Sequence, residues 1–397
     1  MELNNPMPHS KRKVLIFTDW FLPGFKAGGP IQSIANLVAH CESEFNLSIV
    51  TRNNDFDLKE VKPYPAIIPN TWMSLSKNTR VYYHKDNKLS LEAIKDISEE
   101  KYDTIYFNSL FSIYYTWLPL FFFRRQNAKL VLAPRGMLGA GALAIKATKK
   151  ILFLSMLKAL PIRRKIIWHA TSEGEQNEIK NFFGINTKVV LAPNLPPRRS
   201  IVWNQKPKSE GALKLFFLSR ISQKKNLKGA LEYLTLIPNN LHVEFNIIGP
   251  IEDAAYWAES QRLIEKITYE KPTISIHYLG AINHDFLPGI IASFHAMLLP
   301  SFNENFGHVI LDALAASCPV ILSDQTPWLH LTSKSVGWDI PLNNPHAFGE
   351  AIATLARMDQ AQFDTWSLSA FNEAYAFYNN PDIINQTKNL FQAHGNE

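Results

Sequence analysis

The chain has 397 residues, 46% of them hydrophobic and 19% charged, which fits a soluble folded protein of two or three domains and excludes a disordered one. No apolar stretch approaches the ~20 residues of a membrane span, and Lys11-Arg-Lys13 does not start a signal peptide, because Asp19 interrupts the apolar run behind it. The net charge of +6 is uneven: the first 205 residues hold 28 Lys+Arg against 16 Asp+Glu and the rest 13 against 19, so a basic partner face is expected on the first half alone.

In chain order, residues 14–18 read as a short buried strand. Gly28-Gly-Pro30 lies in the loop after it and leads into a helix over 31–41. Glycine lets backbone amides approach a phosphate closely and proline suits a first helical turn, though a Gly-Gly pair equally serves only to turn the chain. It is neither a Gly-x-Gly-x-x-Gly fingerprint nor a Walker loop. Further strands are predicted at 47–51, 104–108, 129–133, 166–170 and 188–192, with a helix over 173–183. Within 145–165, Lys146, Lys149, Lys150, Lys158, Arg163, Arg164 and Lys165 flank Ile151-Leu-Phe-Leu154, Met156 and Leu157. Such a segment suits an anionic membrane surface, or equally a core helix with a solvated basic face. No nucleic-acid module accompanies the charge, so nucleic acid is not expected as a partner.

Residues 193–211, rich in Pro, Lys, Arg and Ser, read as an interdomain linker. The alternation then restarts, with strands at 214–219, 243–249, 274–278, 296–299 and 319–323, and the chain ends in helices over about 360–390. Strands alternating with helices argue for an α/β fold of two doubly wound parallel sheets facing across a cleft, where ligands bind at the carboxyl ends of the strands. The expected divisions are 1–200, 201–365, and C-terminal helices over 366–397 packing back toward the first domain. Cys41 and Cys318 sit in apolar contexts, and neither Cys-x-x-Cys nor His-Glu-x-x-His occurs, so no metal site is expected.

The segment Ser301-Phe-Asn-Glu-Asn-Phe-Gly-His308 with the residues behind it carries most of the chemistry. Glu304 and Asp312 lie eight residues apart, and a helix with an apolar face of Val309, Ile310, Ala313 and Leu314 starts between them. Asn303 or Glu304 is expected to cap it. Its start at Phe306-Gly307-His308 offers free amides and a positive dipole end, suited to a phosphate. A sugar at Glu304, a ribose at Asp312 and phosphates between fit this spacing, although a capped helix with two incidental acids fits it too. Arg220 and Lys225 follow the first strand of the second domain and face the ligand edge, an arginine as a fork for phosphate and a lysine as a point charge. Lys224 and Lys228 read as solvated.

Together these parts resemble the retaining, nucleotide-sugar-dependent glycosyltransferases of the two-domain GT-B fold, family 4 (glycosyltransferase group 1). Ala27-Gly-Gly-Pro-Ile31, Ser219-Arg-Ile-Ser-Gln-Lys-Lys-Asn226 and the Glu304 to Asp312 pair look like that family's landmarks, as do Thr171-Ser-Glu173 and Ala192-Pro-Asn194. Pro134-Arg-Gly-Met-Leu138, followed by Ala142-Leu-Ala-Ile-Lys146, is similar to branches that build bacterial exopolysaccharide and O-antigen. The resemblance implies that Arg220 and Lys225 bind the donor pyrophosphate in place of a metal. It implies that Glu304 contacts the transferred sugar, that Asn305, Phe306 and Gly307 meet the phosphate, and that Asp312 contacts the ribose. Gly28 and Gly29 would close over the donor. Three positions depart from the pattern: Asp312 stands where Glu is usual, Asn226 where Gly is usual, and Asn108 where relatives often carry a histidine that contacts the sugar or helps catalysis.

The implied activity is retaining transfer of a hexose-like sugar from a nucleotide-diphosphate sugar to a lipid-linked glycan, with no resident cofactor and no metal. The implied location is cytoplasmic, at the anionic inner face of the membrane through the basic first half. A UDP-sugar epimerase of the same fold, and a non-catalytic partner that binds nucleotide sugar or glycan, are the alternatives.

Overall fold

The computed structural model describes residues 11–56, 62–139, 143 and 147–392. The first half is built on β1 (Lys13–Phe17), β2 (Asn46–Arg52), β3 (Trp72–Ser76), β4 (Thr79–His84), β5 (Thr104–Phe107), β6 (Lys129–Leu132), β7 (Ile166–Ala170) and β8 (Val189–Leu191). Their order is β3-β4-β2-β1-β5-β6-β7-β8, all parallel except β3 against β4. Around them run α1 (Gly29–Cys41), α2 (Leu91–Ser98), α3 (Leu118–Phe123), α4 (Ala147–Ala159) and α5 (Glu173–Phe183). Side chains alternate across a strand, so β1 feeds two cores: Leu15 and Phe17 enter one, Val14 and Ile16 the other. This is why the central strands read as unbroken apolar runs.

The second half repeats the plan with β9 (Ala212–Leu218), β10 (His242–Ile248), β11 (Ile274–Gly280), β12 (Ala296–Leu299), β13 (Val320–Ser323) and β14 (Gly337–Ile340), in the order β11-β10-β9-β12-β13-β14, all parallel. Its helices are α6 (Leu227–Thr235), α7 (Ala254–Glu270), α8 (Leu287–Ile291), α9 (His308–Ala315) and α10 (Pro345–Arg357). Two helices follow. In α11 (Gln360–Tyr378), Phe363, Ala370 and Ala374 join the second-half core. In α12 (Pro381–Asn389), Ile383 joins a first-half core with Leu390 and Phe391. The chain therefore crosses back between the halves at 379–380. Among the described residues, no helix is long and apolar enough to cross a membrane.

The observed pattern departs from the sequence reading at the sheet edges and in the linker. β3, β4 and β14 are additional strands. β3 is half-exposed along its length, so it lacks the apolar run that marks a buried strand. Residues 206–208 are not a solvated linker. Lys206 is buried, and its ammonium donates to the Phe294 carbonyl at 2.7 Å and contacts the Cys318 sulfur at 2.8 Å. Lys208 donates to the Ser209, Ala356 and Met358 carbonyls. The last two lie at the end of α10, where a cation meets the negative end of the helix dipole. The stretch Ala142-Leu-Ala-Ile-Lys146 lies outside the described residues apart from Leu143.

Candidate functional site

Both sheets point their carboxyl ends into the space between the halves. On the second side, β9 ends at Leu218 and delivers Arg220. A short 3-10 turn over Gln223–Lys225 then places Lys225 beside the loop that follows β12. Asn226 continues the chain in the left-handed region at φ 57°, a conformation asparagine adopts more readily than most residues. Its amide donates to the Pro300 carbonyl at 3.1 Å and its carbonyl accepts from Gly229 N–H at 3.2 Å. The asparagine thus keeps the backbone shape a glycine would give and adds a cap to α6.

Lys225 and Glu304 form an ion pair with side chains 13% and 9% exposed, and Ser301 donates to the same carboxylate at 3.0 Å. Burial works to raise the Glu304 pKa, but Lys225 overrides it and holds the carboxyl below its usual range. Glu304 is therefore engaged with Lys225 and caps nothing. The N-cap of α9 is Gly307, at φ 77° and with no side-chain cap, which corrects the expectation that Asn303 or Glu304 would fill that place. Lys224 is not solvated either: burial, then the neighbouring Lys225, pushes its ammonium down to about 8. Lys228 pairs with Glu259 at an exposed position, as a solvated lysine does.

Arg220 donates to Glu252 at 2.9 Å, and its guanidinium lies 5.9 Å from the centre of the Phe56 ring in the first half. Asp312, 5% exposed, accepts from Arg199 at 2.9 Å and lies 3.3 Å from His284 Nε2. An arginine of the interdomain segment thus already occupies the carboxylate expected to meet a ribose.

From the first half, Gly28 (φ 67°) and Gly29 open α1 against this surface. Gly28 has open space where a Cβ would stand, and a Cβ on Gly29 would lie 3.8 Å from His308. The Ser33 hydroxyl donates to the Gly29 carbonyl at 3.0 Å, which leaves its oxygen to accept from His308 Nε2 at 2.9 Å across the gap. Burial pushes His308 down to about 4, so it sits there neutral. A second bridge runs from Asn305 Nδ2 to Thr171 Oγ1 at 2.9 Å, beside Gly136, whose Cβ would stand 2.7 Å from Asn305 Cβ. Phe306 packs its ring among Trp328, Phe377 and His308, and its carbonyl accepts from Trp328 at 2.6 Å.

Gly28, Gly29, Arg220, His308 and Asp312 line one cavity of about 90 Å³, together with Gly249, Pro250 and Leu287. A larger cavity of about 930 Å³ shares Asp312 with it but opens mainly among the starts of β9, β10 and β11 and the 199–209 segment. The cleft is the better candidate site. It lies at the carboxyl ends of both sheets, where open α/β folds bind ligands, whereas the larger space lies mostly at the opposite edge. Among the described residues, no group of three or more His, Cys, Asp or Glu is placed to hold a metal ion.

Asn108 stands apart from the ion pairs. It is 4% exposed, accepts from Arg135 Nε at 2.7 Å and faces Thr18 Oγ1 at 3.4 Å. Arg135, Asn194, Tyr106, His169 and Glu175 complete that cluster. The sequence reading assigned none of them a role, although Arg135 and Asn194 stand in the Pro134-Arg-Gly and Ala192-Pro-Asn landmarks.

Comparison with known proteins agrees with this fold. Residues 201–364 match the family Glycosyl transferases group 1. The second half is a glycosyltransferase group 1 domain. The chain is 30% identical over 114 residues to O-antigen chain mannosyltransferase B of Escherichia coli; the match covers 28% of this chain and spans 28% of that curated relative's length. Across almost the whole chain the architecture is GT-B. Sucrose-phosphate synthase from Thermosynechococcus elongatus superposes with a TM-score of 0.72 at 18% identity, covering 96% of this chain and 98% of that one. HepE of Anabaena, solved with UDP and glucose, gives 0.68 at 14% identity over 95% and 98%. WaaG, a glycosyltransferase of lipopolysaccharide biosynthesis, gives 0.68 at 12% over 96% and 100%.

Proposed function

We propose that the chain is a retaining glycosyltransferase. It moves a sugar from a nucleotide-diphosphate sugar to a hydroxyl of a growing, lipid-linked surface glycan. The observation that carries this reading is the meeting, in one cavity, of the group 1 domain's Arg220, Asp312 and the uncapped α9 start at His308 with the Gly28-Gly29 turn of the other half, while the Lys225–Glu304 pair stands on the same domain.

In this reading the donor diphosphate lies between Arg220, Lys225 and the α9 amides at Asn305, Phe306 and Gly307. Glu304 accepts hydrogen bonds from hydroxyls of the transferred sugar, and Asp312 contacts the ribose once Arg199 yields it. The bond from the anomeric carbon to the diphosphate breaks, its electron pair leaves with the phosphate, and the two cations stabilise that charge without a metal. The acceptor hydroxyl attacks the oxocarbenium-like carbon from the same face and passes its proton to the departing phosphate. A cavity of about 90 Å³ is too small for such a donor, since ligand pockets run to several hundred Å³. The halves therefore part to load it and close to exclude water.

Membrane attachment belongs to the same reading. On α4, Ile151, Leu152 and Met156 are more than half exposed, among the exposed cations Lys149 and Lys158. Phe121 and Phe122 are also exposed, with Arg124 over the Phe121 ring. Apolar side chains projecting among cations fit the cytoplasmic face of an anionic bilayer.

Calorimetric titration of UDP-, GDP-, ADP- and dTDP-sugars tests the donor site, with Arg220→Ala and Glu304→Ala as controls. Micromolar binding of one donor, lost in Arg220→Ala, is expected; no binding by folded protein rules the reading out. Incubation with the bound donor and a lipid-linked acceptor, read by the anomeric configuration of the product, tests retention.

A further inference from the structure

At the carboxyl ends of β5, β6 and β8, under the cleft, one guanidinium is held by neutral groups alone. Arg135 adopts the left-handed backbone at φ 57°, rare for a residue with a long side chain and a sign that surrounding contacts fix it there. Its Nε donates to Asn108 Oδ1 at 2.7 Å, Nη1 to Asn194 Oδ1, and Nη2 to the Tyr106 hydroxyl at 2.8 Å. Asn108, Asn194 and Tyr106 are all buried.

The hydrogen bonds run in one direction. His169 Nε2 donates to the Ala192 carbonyl at 2.7 Å, so Nδ1 accepts from the Tyr106 hydroxyl at 2.8 Å, and the Tyr106 oxygen is left to receive Arg135. Burial pushes Tyr106 up to about 12, so it stays a neutral phenol near neutral pH, and pushes His169 down to about 3, so it stays a neutral imidazole beside it.

The neighbouring acids are committed elsewhere. Glu175 accepts from Gly136 N–H, Thr171 N–H and the Thr171 hydroxyl. Glu304 is with Lys225, Asp312 with Arg199, and Asp19 with Arg52. Among the described residues no carboxylate reaches Arg135 within 4 Å. A half-buried cation with no carboxylate in direct contact gains from an anion that joins it, even with the buried Glu175 in the same cluster. Three of its five N–H donors are used, and two remain. The residue stands at the ligand edge: Gly136, next in the chain, abuts Asn305, and the Arg135 charge is felt at His308 across the gap.

We propose that Arg135 is a substrate-binding residue whose two unused N–H groups hold a substrate oxyanion, a phosphate or carboxylate, in the cleft. The ligand class rests on the glycosyltransferase reading, and the oxyanion comes either from the donor diphosphate or from an anionic group on the acceptor.

The test is calorimetry on wild type, Arg135→Lys, Arg135→Gln and Asn108→Asp. UDP and GDP are titrated first, and N-acetylglucosamine 1-phosphate is then titrated onto protein loaded with nucleoside diphosphate. Asn108→Asp places a carboxylate against the guanidinium, so it competes with the ligand while strengthening the fold. Arg135→Gln and Asn108→Asp are expected to weaken one of these titrations about 10- to 100-fold, as loss of a charge-assisted hydrogen bond does, with Arg135→Lys in between. Loss in the first titration names the donor as the source, and loss confined to the second names the acceptor. If Asn108→Asp raises the melting temperature while every affinity stays within twofold, Arg135 is a strut and the inference fails. Nucleoside diphosphate binding that depends on Arg220, with both titrations indifferent to Arg135, overturns this inference alone; wild type that binds none of these anions overturns the glycosyltransferase reading with it.

Discussion

Lys225→Met removes the charge from the ion pair in the cleft while keeping most of the side chain's length and apolar stem. Lys225 and Glu304 are 13% and 9% exposed, so the carboxylate left behind is poorly hydrated. Removing one partner of a buried pair costs about 3–5 kcal/mol. At about 2–4 °C per kcal/mol for a domain of this size, melting at pH 7 should fall by roughly 6–20 °C. The pH dependence gives the sharper signature. In wild type, Lys225 holds the Glu304 carboxyl below its usual range, so its contribution is present at neutral pH and fades as pH falls through that depressed value. In the variant, burial acts with only Lys224 and Ser301 against it, and the carboxyl shifts upward. The sign then reverses: the penalty is full at pH 7 and shrinks as the group protonates toward pH 4. Near-UV circular dichroism during thermal unfolding at pH 7 and pH 4.5, on Lys225→Met and on Lys225→Met with Glu304→Gln, measures both effects. The double variant should recover more than half of the loss. A loss under about 1 kcal/mol, or one equal at both pH values, would show that water screens the pair and refute the reasoning.

Three further outcomes are expected. Lys224→Met should raise stability at pH 7 by about 1–3 kcal/mol, because the buried ammonium is penalised wherever it is charged; the gain should vanish between pH 8 and pH 10.5, and denaturant titrations across that range check it. Gly136→Ala places a Cβ 2.7 Å from Asn305 at φ 70°, so it should force the halves apart at a cost of about 1–3 kcal/mol, read as a larger radius of gyration in solution scattering and weaker donor binding. Ile151→Asp with Leu152→Asp, at positions 53% and 63% exposed, should leave melting within about 1 °C. The same pair should weaken co-sedimentation with anionic vesicles about tenfold or more, and unchanged vesicle binding would remove α4 from the membrane face.

Strands buried on both faces were legible because their apolar runs are local: 166–170 and 296–299 appear with the bounds the sequence suggested. β3 and β14 escaped because edge strands bury only part of each face. Within the site, the helix start at Gly307-His308 could be read, since a glycine and the apolar period behind it lie within a few residues. Its cap could not. Glu304 reaches Lys225, 79 positions earlier, and no local pattern reports such a pairing. The same holds for Asp312, taken by Arg199 from a segment that looked like a solvated linker, and for Asn108, whose partner Arg135 lies 27 positions on. The types of residue at the strand ends were visible in the sequence; which acid meets which cation was decided by the packing of two sheets.

The chain passes from one half to the other twice, and the two passages lie side by side: residues 197–201 and Tyr375, Tyr378 and Asn379 flank one recess around His40. His40 contacts the Pro196 carbonyl at 3.0 Å, and Arg198 donates to the Ala39 carbonyl at 3.1 Å, so the first passage is pinned to α1. Neighbouring covalent straps act as the paired hinges of a door. They allow a swing about the line that joins them and resist sliding or twisting. In the opening and closing proposed above, such straps would return Ser33 to His308 and Thr171 to Asn305 along one arc, so that the alignment of the cleft would rest on the connectivity of the chain more than on the few contacts that meet when it shuts.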